Sequence, residues 1–98
     1  MVKRSKQQQS KHQEKVKQIA DKLKHAGWKV EADLSGYDRP EPIGKKDRIP
    51  DVVAEKSGAT RIIEVETEDS IEKDKDQQAT FRQSAAHRKR TTFTIEEV

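Results

Sequence analysis

Apolar residues recur along the first third of the chain at helical spacing. Val16, Ile19 or Ala20, Leu23 and Ala26 recur at three- and four-residue spacing, with Lys17, Lys22 and Lys24 on the remaining faces. A single stripe of this kind buries against a core while the remaining faces stay in water, so the spacing predicts an amphipathic helix. Ser10 offers an N-cap, and Gly27 offers the left-handed residue that stops a helix. Residues 1–9, polar and including Gln7, Gln8 and Gln9, are expected to form a basic, glutamine-rich disordered tail.

After Gly27 the period drops to two. Trp28 to Leu34 alternates apolar and polar, which predicts a half-buried strand with Trp28 as an anchor at the edge of the core. Residues 35–48 then form a long loop rich in glycine, proline and charge, a length that points to function or mobility in a small domain. Two β-branched runs follow, Ile49 to Ala54 and Ile62 to Val65, and the polar stretch 55–60 with Gly58 joins them as a hairpin. Alternation puts Ile63 and Val65 on one face and Ile62, Glu64 and Glu66 on the other. Past an acidic stretch from Thr67 to Asp76, Asp74 to Arg88 reads as a second helix with Gln78, Phe81 and Ala85 along one face. Thr91 to Val98 closes the chain as a strand with Phe93 and Ile95 on one side. The order is α-β-β-β-α-β, one α/β domain over residues 10–98.

Composition narrows the classes. The 98 residues are only 30% hydrophobic, enough for one modest core. There is no cysteine, hence no disulfide framework and no thiolate metal site. No apolar run approaches membrane-spanning length and the N-terminus lacks the apolar centre of a signal peptide, so an intracellular protein without membrane partners is expected. The net charge of +3 is unevenly distributed. Residues 1–29 are basic, residues 64–76 acidic, and residues 82–90 basic again through Arg82, Arg88, Lys89 and Arg90. An acidic focus between basic segments suits a cation-dependent enzyme acting on a polyanion, although basic runs also serve simply as solvated tails. His12, His25 and His87 lack metal-ligand spacing and read as surface residues. Neither a glycine-rich phosphate loop nor a Ser/His/Asp set is present.

The hairpin register predicts that Asp51, opening the first run after Pro50, converges with Glu64 and Glu66. Three carboxylates at one place repel one another unless a cation or a proton sits among them. An oxygen-only set suits magnesium, manganese or calcium. The competing explanation is a solvated charged face, common in a chain with 40% charged residues.

Pro50-Asp51, an aliphatic strand, a turn and then Ile62-Ile63-Glu64-Val65-Glu66 resembles the active-site hairpin of the PD-(D/E)xK nuclease superfamily, and in particular that of the archaeal Holliday-junction resolvases. The resemblance implies a restriction-endonuclease-like core, a mixed four-stranded sheet flanked by two helices. It also implies Mg2+ or Mn2+ held by Asp51, Glu64 and the Val65 carbonyl, and hydrolysis of phosphodiester bonds in DNA, with RNA also open. Glu66 stands where the family has its catalytic lysine, so it would act as general base or added ligand, or else catalysis is lost and the domain is a nucleic-acid-binding or protein-interaction module. Lys56 or Lys73 could supply the missing lysine. Gln77-x-x-x-Phe81 is similar to a Gln-x-x-x-Tyr pattern of some members, and Glu14 is the candidate for the glutamate that many carry on the first helix. Arg39, Lys45, Lys46 and Arg48 in the loop, with Arg82 and Arg88, are the expected nucleic-acid contacts, and Tyr37 could stack on a base. A chain this short would use a second copy to cut both strands, so a homodimer is expected.

Overall fold

A computed structural model describes residues 6–44, 47–67, 70–71 and 74–98. The elements follow in the order α1 (Lys6–His25), β1 (Lys29–Ala32), β2 (Val52–Lys56), β3 (Ala59–Glu66), α2 (Lys75–Ala86) and β4 (Thr91–Glu97). The four strands form one mixed sheet in chain order. β1, β2 and β3 are antiparallel neighbours, with Val30 opposite Ala54 and Val52 opposite Ile63. β4 lies parallel to β3, with Ile62 opposite Phe93, and α2 makes the crossover such a pair requires.

Alternation along the strands splits the interior into two cores. On one face Val16, Ala20 and Leu23 of α1 pack on Ala32, Val52, Ala54, Ile63 and Val65, with Trp28 beside them. On the other face Phe81 and Ala85 of α2 pack on Ile62 and Ile43, with Phe93 alongside. The expected sidedness of β3 and the anchoring role of Trp28 are both observed. The Arg61 guanidinium also lies over the Trp28 ring, 5.8 Å from its centroid.

Several boundaries differ from expectation. α1 begins at Lys6, so Ser10 sits inside the helix rather than capping it, and residues 6–9 are helical rather than a disordered tail. Residues 1–5 lie outside the described residues. The hairpin turn is only Ser57-Gly58, both at positive φ (51° and 82°), so the strands reach further toward each other than the polar composition of 55–60 implied.

The long loop is built into the fold rather than solvated throughout. Ile43 is buried in the α2-side core, and Ile43 and Arg48 form a two-way backbone bridge. The Tyr37 hydroxyl donates to Asp21 of α1, and the ring packs at the edge of the α1-side core with Lys24 over its face. The Tyr37 ring is thus half-buried against α1 rather than carried on a free loop. No helix among the described residues is long and apolar enough to cross a membrane.

Candidate functional site

Asp51 stands directly before β2, and Glu64 lies near the end of β3, on the strand beside it. The Asp51 backbone N–H donates to Glu64 Oε1 at 2.8 Å. The Val65 N–H in turn donates to Asp51 Oδ2 at 2.8 Å. These two bonds lock the expected pair of acids together at one end of the sheet and bring the Val65 peptide against Asp51. The side-chain pairing is a consequence of register, since Val52 opposite Ile63 leaves Asp51 level with Glu64.

Each helix contributes one further residue. His12 of α1 lies with Nε2 3.2 Å from Asp51 Oδ2, and both side chains are largely buried, 12% and 15% exposed. In the tautomer that carries its proton on Nε2, the His12 N–H donates to Asp51 Oδ2. Gln77 of α2 donates from Nε2 to Glu64 Oε2 at 3.1 Å. Arg48 reaches the same glutamine, its guanidinium 3.4 Å from Gln77 Oε1. Arg48 Nε is buried and has no hydrogen-bond partner among the described residues.

Glu64 is 2% exposed. Burial, reinforced by the Asp51 carboxylate and to a smaller extent by Glu66, pushes its carboxyl up to about 9, against the opposing pull of the bonds from the Asp51 N–H and Gln77. Burial and the neighbouring carboxylate thus both favour the neutral form of Glu64.

Glu66 occupies the same face and is 1% exposed. Its carboxyl accepts a hydrogen bond from Ser70, whose hydroxyl and N–H are also paired with Thr67. Glu66 is thus held by the side chain of Ser70. Among the described residues no group of three or more histidine, aspartate or glutamate side chains is disposed to hold a metal ion. The donor chemistry is nevertheless suited to magnesium, which keeps several waters and binds through one or two carboxylates together with substrate phosphate. Asp51 and Glu64 provide two such carboxylates, and Asp51 Oδ1 accepts no hydrogen bond among the described residues.

The other expected site residues divide by position. Gln77 is at the site, as the helix pattern suggested. Glu14 is exposed, and His12, expected on the surface, takes the position on α1 instead. Its signal was available, because His12 lies four residues before Val16 on the stripe that continues through Ala20 and Leu23. Lys56 does not approach the acids. It lies at the other end of β2, four residues from Val52 and roughly 13 Å away at strand spacing, where its Nζ donates to the Ala26 carbonyl just past the end of α1. Lys45, Lys46 and Lys73 lie outside the described residues. Arg39 pairs with Asp33 at 3.7 Å, and the Asp33 N–H donates to the Asp51 carbonyl, which places Arg39 at the acidic end. Arg82 and Arg88 lie elsewhere. Arg82 covers the Phe93 ring, while Arg88 lines a groove of about 250 Å³ with Lys29, Glu55 and Thr60 at the far end of the sheet. Compared with protein-family models, with curated proteins and with solved structures, the chain matches none.

Proposed function

We propose that this chain is a divalent-metal-dependent endonuclease of the PD-(D/E)xK kind that hydrolyses phosphodiester bonds in DNA. The observation that supports this reading is the locked pair Asp51 and Glu64 at the ends of adjacent strands, with Gln77 from the following helix on Glu64. Asp51 and Glu64, with the Val65 carbonyl, would hold Mg2+ or Mn2+. Such a cation polarises a phosphate and acidifies a bound water. The chain's own residues do the rest. Glu64 would give up its proton on binding the cation, Gln77 fixes the Glu64 carboxyl, and Arg48 and Arg39 hold the nucleic-acid backbone beside them. Arg48, joined to Glu64 through Gln77, brings the positive charge that Glu66 cannot supply at the lysine position.

The test is cleavage of labelled duplex, single-stranded and four-way-junction DNA with Mg2+ or Mn2+, alongside Asp51→Ala and Glu64→Ala. Metal-dependent cleavage by the wild type that falls below detection in both variants is the expected result. A second reading, a catalytically degenerate domain that binds nucleic acid, is favoured by one observation: Glu66 is engaged by Ser70 rather than presented as a base. Salt-sensitive binding with no cleavage under any metal would establish it.

A further inference from the structure

We propose that His12 is the positioning residue for Asp51, turning that carboxylate so that Oδ1 faces the cation. The inference rests on the metal-site reading above and adds to it a role for α1 that no acid on that helix fills. A carboxylate with one hydrogen bond rotates about its terminal torsion, which is broad for aspartate. Asp51 is held at Oδ2 by two donors from different elements, the Val65 N–H of β3 at 2.8 Å and the His12 Nε2–H of α1 at 3.2 Å. Two donors on one oxygen fix the plane of the group and occupy that oxygen, which leaves Oδ1 for metal coordination. Partners of this type around ligating groups set their orientation and contribute about 10- to 100-fold to metal affinity.

The position of His12 follows from the fold. It is on the buried stripe of α1 one turn before Val16, itself packed against the sheet, so the imidazole is delivered at a fixed depth. Glu14, two residues on, points to solvent, and a third carboxylate at this place would add repulsion to the Asp51–Glu64 pair. A ring N–H donor orients the acid without adding a further carboxylate.

The experiment is Mn2+ binding by calorimetry at one pH, on the full chain, for wild type, Glu64→Gln, His12→Ala, His12→Phe and His12→Gln, with metal-free thermal stability measured on each. Wild type binds and Glu64→Gln does not if the metal-site reading holds. His12→Ala and His12→Phe then lose about tenfold or more in affinity, while His12→Gln, which restores an N–H donor of similar reach, recovers most of it. Phenylalanine fills the volume without donating, so a purely packing role predicts the reverse order of Phe and Gln. Wild-type affinity in His12→Ala, or equal losses in Phe and Gln, overturns the role of His12 while leaving the metal site intact. Failure of the wild type to bind Mn2+ overturns both.

Discussion

Glu64 is a carboxyl with almost no access to water, set against a second acid, and both conditions favour its neutral form. Its folded value, about 9, lies above the roughly 4.3 of an unfolded glutamate. Folding therefore takes up a proton over the interval between them. The stability this group contributes to the metal-free protein is complete below about pH 4.3 and is lost as pH rises toward 9, at up to about 1.4 kcal/mol per pH unit. Melting of the chain in EDTA should accordingly fall between pH 5 and pH 8, and Glu64→Gln, which cannot ionise, should flatten that slope. Parallel slopes for the two proteins would mean that Glu64 ionises as an ordinary glutamate. A cation reverses the sign, because it binds the ionised pair, so the rise in melting temperature on adding Mn2+ should grow with pH over the same interval. A constant increment would place Mn2+ away from Glu64.

At the level of elements, the loop between β1 and β2 is held on α2 by close contact. Gly44 has φ +80°, and a Cβ there would come within 2.6 Å of Thr80 Cγ2. Gly44→Ala should destabilise the protein by about 1–3 kcal/mol through strain and overpacking together. Thr80→Ser removes the methyl, so in that background the same substitution should cost less, and urea denaturation of the four proteins measures the coupling. Equal costs in both backgrounds would assign the whole effect to the backbone. This loop also marks the limit of what the sequence reveals. α1, the hairpin and α2 carry periodic stripes long enough to read, and the acids Asp51 and Glu64 follow from the hairpin register. Ile43 is a lone apolar residue in a polar segment with no period to interpret, and the Tyr37–Asp21 bond joins residues 16 apart through tertiary packing alone. His12 was readable as the N-terminal extension of the α1 stripe, but a histidine there fits a wet helix end equally well until Asp51 is seen beneath it. Lys56 misleads for a geometric reason: nearness to the hairpin turn puts it far from the acids, which sit where the hairpin opens.

At the scale of the whole molecule, the candidate arginines among the described residues divide between the two ends of the sheet. The acids Asp51, Glu64 and Glu66 lie with Arg39 and Arg48 at one end, where β3 and β4 finish and α2 begins. Arg88 and Arg90 lie at the other, the latter with its backbone carbonyl bonded to the Thr60 N–H at the start of β3. The sequence alone makes Arg39, Arg48 and Arg88 alike candidates for a nucleic-acid track, because segment charge carries no information about which end of a parallel crossover a helix terminus reaches. Topology separates them. A phosphate backbone bound for cleavage must pass the acidic end, so its ionic contacts should include Arg48 and exclude Arg88. Binding of a labelled duplex in EDTA, followed by anisotropy between 50 and 200 mM salt, should weaken on a log–log line whose slope reports the phosphates neutralised. Arg48→Gln should reduce the magnitude of that slope by about 1, as expected for one lost phosphate contact, and Arg88→Gln should leave it unchanged. The opposite outcome, a slope altered by Arg88→Gln and untouched by Arg48→Gln, would put the nucleic acid at the end of the sheet remote from Asp51 and Glu64. Binding there could not bring a phosphate to the acids, and the domain would then be a binding module rather than a nuclease.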